Sequence, residues 1–111
     1  MATQYRVFRN VAVRAKDTKE LLRTESALYG LYEDWEEAKK LVKIISRSRE
    51  QVLKGQGQEV TRDYDPFLPD RVILHFNTLW TEVTVTFRAV KEDWLEDAIN
   101  EANGVCSEKE A

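Results

Sequence analysis

Few side chains in this 111-residue sequence are equipped for covalent chemistry. It holds one histidine, His75, and one cysteine, Cys106. His75 sits in Val72-Ile73-Leu74-His75-Phe76, on the strand parity opposite Val72, Leu74 and Phe76. No candidate nucleophile stands beside it, and a lone imidazole without such a partner is an ordinary strand histidine. Cys106 is followed by Glu108 and Glu110, whose charges raise a thiol pKa and quench nucleophilicity. One Cys and one His cannot complete a tetrahedral zinc site. Asp63, Asp65 and Asp70 gather three carboxylates that calcium or magnesium could use. An EF-hand loop starting there would need glycine at its sixth position and glutamate at its twelfth, and finds leucine at both. Gly55-Gln56-Gly57 is too short for a phosphate loop and lacks its lysine. The sequence therefore predicts no catalytic residues, no metal site and no cofactor, and the chain is read as a non-enzyme.

Two motif comparisons sharpen this. Pro69-Asp70 before a strand resembles the opening of the PD-(D/E)xK nuclease motif, but Glu82-Val83-Thr84 puts threonine where that motif needs lysine. The segment Tyr29-Gly30-Leu31-Tyr32-Glu33-Asp34-Trp35-Glu36-Glu37-Ala38 resembles part of the hybrid-binding domain found at the N-terminus of some ribonucleases H. The likeness ends there. The family's following glycine, aromatic and lysine are replaced by Ile44-Ile45-Ser46-Arg47-Ser48-Arg49, so no function is carried over.

Binding surfaces offer more. Tyr64, Phe67, Leu68, Leu79 and Trp80 place five large apolar side chains in or beside loops, which normally face water. They either fold back as lids on the core or, with Asp63 and Asp65, form an aromatic patch in an acidic setting, suited to a basic protein surface. The predicted partner-binding set is Asp63, Tyr64, Asp65, Phe67, Leu68 and Trp80. Alternatively, Lys40, Lys43, Arg47 and Arg49 give the first helix a basic stripe that could meet nucleic-acid phosphates. Glu36 four residues before Lys40 would also pair with it as a helix-stabilising couple.

These residues must be held by one domain. The chain is 42% hydrophobic and 33% charged, with a net charge of −3 divided as +4 over residues 1–56 and −7 over 57–111. Gln4–Ala15 and Leu21–Tyr32 read as strands, the second ambiguous with helix over residues 18–26. Glu33–Arg49 is the strongest helix, extendable through Leu53, with Trp35, Ala38, Leu41, Val42 and Ile45 on one stripe. Glu59–Tyr64, Arg71–Asn77 and Thr81–Val90 read as strands. Glu82, Thr84, Thr86 and Arg88 are expected on a wet face, with Phe8 the one exposed sheet aromatic. Glu92–Asn103 reads as a second helix.

The predicted fold is α+β in two layers: an antiparallel sheet of four to five strands with both helices on one face, in the order β-β-α-(β)-β-β-α. Residues 1–105 form one domain, with 106–111 a frayed tail. The start lacks a secretory signal and no run of about 20 apolar residues exists, so a cytoplasmic protein away from membranes is expected. The leading functional expectation is a small protein-binding module of the adaptor or inhibitor type, such as mobile elements encode. A nucleic-acid-binding module is the alternative. A homo-oligomer joined through the strand beginning at Gln4 is a third reading.

Overall fold

Tyr5–Ala15 form strand β1, and its alternation sends Val7, Val11 and Val13 to one side and Phe8, Asn10 and Ala12 to the other. Both sets are apolar enough to need cover, and that decides the architecture. The computed structural model describes residues 3–64 and 70–104. β1 is followed by β2 (Leu21–Tyr32), α1 (Trp35–Gly55), β3 (Thr61–Tyr64), β4 (Arg71–Asn77), β5 (Thr81–Lys91), a 3-10 turn (Glu92–Trp94) and α2 (Leu95–Ala102). Residues 18–26 resolve as turn and strand, without helix.

The five strands form one antiparallel sheet in the order β2-β1-β5-β4-β3. The α+β class and the antiparallel sheet agree with the sequence reading. β1 lies between β2 and β5. The edge predicted at Gln4 is therefore not an edge; β2 and β3 are. The reason is the close match of β1 to β5, which pair without a break from Tyr5–Lys91 to Ala15–Thr81.

α1 connects the two edge strands and so must cross the sheet. Asp34 caps it by accepting a hydrogen bond from the Glu36 N–H at 2.9 Å. The helix runs to Gly55, taking in the extension through Leu53 that the sequence allows, because Leu53 has a core site to fill and is buried. Gln56 donates back to Val52 and Leu53, and Gly57 adopts φ +86°, which ends the helix. Ala38, Val42 and Leu53 pack on Val7, Val72, Leu74, Val83, Val85, Phe87 and Ala89 in the main core.

α2 lies on the other face, not beside α1 as the sequence suggested. Its Ala98, with Leu95 and Ile99 alongside, packs on Phe8 and Val90. Phe8 and Val90 have the opposite parity from Val7 and Ala89, so the two clusters lie across the sheet from each other. The expected wet face is thereby partly covered. Thr86 is buried, Arg88 is half-buried, and Phe8 is wholly inaccessible. The predicted helix over 92–103 opens as a 3-10 turn, and only eight residues are α-helical.

Ion pairs tie the layers together. Glu50 on α1 holds Arg62 of β3 at 2.9 Å and Lys54 at 2.9 Å. Arg6 grips Glu92 through two bonds, at 3.0 and 3.2 Å, and also donates to the Tyr29 carbonyl. The hydrogen bonds from Lys54 and then from Arg62 hold Glu50 below the ordinary glutamate pKa, and Arg6 does the same for Glu92. A depressed folded-state value contributes stability above the unfolded pKa and loses it as pH falls through the folded one. The stability of the wild type should therefore fall below about pH 4.3. In Glu50→Gln this acid-dependent loss should be smaller, as measured by urea midpoints between neutral and acid pH. Equal pH slopes for the two proteins would count against the assignment.

Candidate binding cleft

At the sheet end where β1 starts and β5 finishes lies an open, shallow cleft of about 350 Å³. Tyr5, Trp35 and Trp94 supply its aromatic surface, residues 88–91 at the end of β5 run past it, and Asp70, Arg88 and Lys91 add polar groups. Each tryptophan is placed by a helix start. Trp35 is the first residue of α1, fixed by the Asp34 cap, and its ring lies 4.8 Å from that of Tyr5. Trp94 ends the 3-10 turn leading into α2, whose position is set by the Arg6–Glu92 pair and by the Glu92 N–H bond to the Gln4 carbonyl at 3.0 Å. Trp35 is half-buried, while Trp94 keeps 59% of its surface exposed.

Acids outnumber bases in the segments that carry the two tryptophans, although Arg6 neutralises Glu92 and Lys39 pairs with Glu36. Glu33-Asp34-Trp35-Glu36-Glu37 and Glu92-Asp93-Trp94-Leu95-Glu96-Asp97 put eight carboxylates within three positions of a tryptophan, against one lysine, Lys91. All of these acids are exposed except half-buried Glu92. Acids in the first turn also favour each helix through its dipole. The cations in reach are engaged: Lys91 stands 5.0 Å over the Trp94 ring, Lys39 pairs with Glu36 at 3.0 Å, and Arg88 faces Asp70 at 3.5 Å. The Glu36–Lys39 pair replaces the Glu36–Lys40 couple expected from spacing.

The predicted partner-binding residues divide. Asp65, Phe67 and Leu68 lie outside the described residues, as does Cys106. Asp63 and Tyr64 are exposed on β3, and Tyr64 pairs with Val72 at the cleft end of the sheet. Trp80 is 77% exposed in the β4–β5 turn at the opposite end. Its carbonyl accepts from the Lys16 N–H at 3.1 Å, beside the β1–β2 turn. The register Val72–Phe87 and Asn77–Glu82 puts five residue steps of strand between these ends, or about 17 Å. Tyr64 and Trp80 therefore do not form one patch.

His75 is exposed on β4 with its Nδ1 3.3 Å from the Thr84 hydroxyl. Lys40, Lys43 and Arg47 are exposed on the outer face of α1, whereas Arg49 turns to a separate groove beside Arg23 and Glu25. Among the described residues no cluster of three His, Cys, Asp or Glu side chains is placed to hold a metal ion. No helix among them is long and apolar enough to cross a membrane.

Sequence reasoning missed Tyr5, Trp35 and Trp94 as a joint site. The available signal was the tripeptide Glu-Asp-Trp, which occurs at 33–35 and again at 92–94, each time just ahead of a helix. Spacing within the chain does not reveal that the two copies meet. No family model, curated protein or solved structure matches this chain.

Proposed function

We propose that this chain is a small non-enzymatic protein-binding module of the adaptor or inhibitor type. Its binding site is the cleft of Tyr5, Trp35 and Trp94, and its partner presents a basic segment carrying one apolar side chain. The observation that supports this reading is that two acid-flanked tryptophans line one apolar cleft. An exposed tryptophan beside a preformed pocket is the usual energetic anchor of an interface. The surrounding carboxylates attract cations and speed encounter with a basic surface. The aromatic-and-acid logic is the one expected for the 63–70 loop, here centred on different tryptophans.

The test is a set of peptides with a central leucine or phenylalanine flanked by lysines and arginines, compared with peptides in which the flanks are acidic. Tryptophan fluorescence reads the binding directly. Basic peptides should bind, more weakly as salt rises, and Trp94→Ala should weaken them by about 30-fold, the scale of a hot-spot residue. Circular dichroism should show both proteins folded. Equal affinity for the acidic peptides, or an unchanged affinity in Trp94→Ala, would sink the proposal.

A second reading has one observation in its favour. Lys40, Lys43 and Arg47 lie on one side of α1, exposed and with no ion pair to any described residue. They could contact phosphates. Three contacts give a salt slope of only about −2.7, and buried Phe8 offers no stacking surface. Retardation of short single-stranded or duplex probes at low salt, lost in a Lys40/Lys43/Arg47→Ala triple variant, is the expected outcome of that reading. No retardation removes it.

A further inference from the structure

The sheet has two edges, and they are not alike. β3 has four residues, while β2 has twelve and is paired only along the side that faces β1. The other side of β2 presents unpaired ladder groups, and a long edge of this kind is a template for another strand. Leu22 and Leu28 on β2 are each 53% exposed. Arg23 and Glu25, two residues apart, are both exposed and oppose Val13 and Val11 of β1 in turn, which puts them on the same face of the sheet, where Glu25 also faces Arg9 of its own chain at 3.6 Å.

We propose that β2 pairs antiparallel with β2 of a second copy of this chain, with Thr24 on the two-fold axis, so that two sheets join into one of ten strands. The charge pattern favours this register over those centred one residue to either side. Around Thr24, Arg23 of one chain stands opposite Glu25 of the other, and the symmetry makes the pair twice. Around Arg23 or Glu25, the strand would place like charges face to face, which destabilises a sheet. The Thr24-centred ladder runs from Leu21 to Ala27, wholly inside β2, and extends about 20 Å. A closed two-fold interface of this type uses up both long edges and leaves only the short β3 edges outside. The proposal is independent of the cleft, which lies at the end of the sheet and not along β2.

Two single variants test it. Arg23→Glu puts glutamate opposite glutamate, and Glu25→Arg puts arginine opposite arginine. Sedimentation equilibrium of the wild type should give twice the 13.0 kDa chain mass at micromolar to submillimolar concentration. Each variant alone should dimerise at least about tenfold more weakly, since two attractive cross-strand pairs become repulsive. Mixed together, the two variants should form heterodimers, because every Glu then meets an Arg. Circular dichroism confirms that each variant is folded. A monomeric wild type throughout this range overturns the proposal and leaves the edge to some other occupant. A dimer indifferent to either substitution, or a mixture that fails to associate, equally overturns it.

Discussion

Phe8→Ala is expected to lower the unfolding free energy by about 3–5 kcal/mol, the usual range for deleting a buried aromatic ring. Phe8 has no exposed surface and is the largest residue in the cluster beneath α2. α2 has only eight residues and lacks a side-chain cap, so it has little stability of its own. Its helical state depends on burying Leu95, Ala98 and Ile99 against that ring. The alanine variant should therefore lose α2 as well as global stability. Amide exchange over residues 95–102 should speed up more than exchange over α1, whose core lies across the sheet. Phe8→Leu retains most of the apolar volume and should cost much less. If Phe8→Ala kept wild-type protection in α2, the ring would not be what holds the helix down. A domain of this size has about 5–15 kcal/mol in all, so the alanine protein should be handled at low temperature.

The second large effect is expected at Asn10, a wholly buried amide in the middle of the sheet. Its Nδ2 donates to the Asn103 Oδ1 at 2.6 Å, and its Oδ1 accepts from the Ser26 hydroxyl at 2.7 Å. Arg14 adds a bond to the Asn103 carbonyl at 2.7 Å. This network fastens the end of α2 to β1 and β2. Asn10→Ala removes one donor and one acceptor and leaves the buried Asn103 side chain without its partner. The expected loss is about 2–4 kcal/mol, combining an unsatisfied polar group with a small cavity. Removing both partners should cost less than the two single changes added, because no orphan remains. A double-mutant cycle of Asn10→Ala and Asn103→Ala in urea measures that coupling. Additive losses would show that the amides act separately.

Much of the architecture was legible along the chain. Alternation in β1, β4 and β5 and the i, i+3, i+4 stripe of α1 follow from local geometry, so the strand and helix assignments and the α+β class could be read from them. Asp34 and Gly57 bound α1 in the structure, and both caps and positive-φ glycines are local devices. Phe8 was read as exposed because alternation shows that a strand has two faces and is silent on whether each will be covered.

Other features depended on the register and order of strands. α2 could have joined α1, but Phe8, Ala12 and Val90 gave the opposite face its own apolar surface to bury. Tyr64 and Trp80 are close in sequence, yet the register of β3, β4 and β5 puts them at opposite ends of the sheet. Trp35 and Trp94, which belong to segments almost sixty residues apart, line one cleft because β1 and β5 are central partners. Local sequence specifies periodicity and caps, since these need only a few adjacent residues. Which distant segments share an end, a face or an edge follows from long-range pairing, whose free energy depends on the whole sheet being assembled at once.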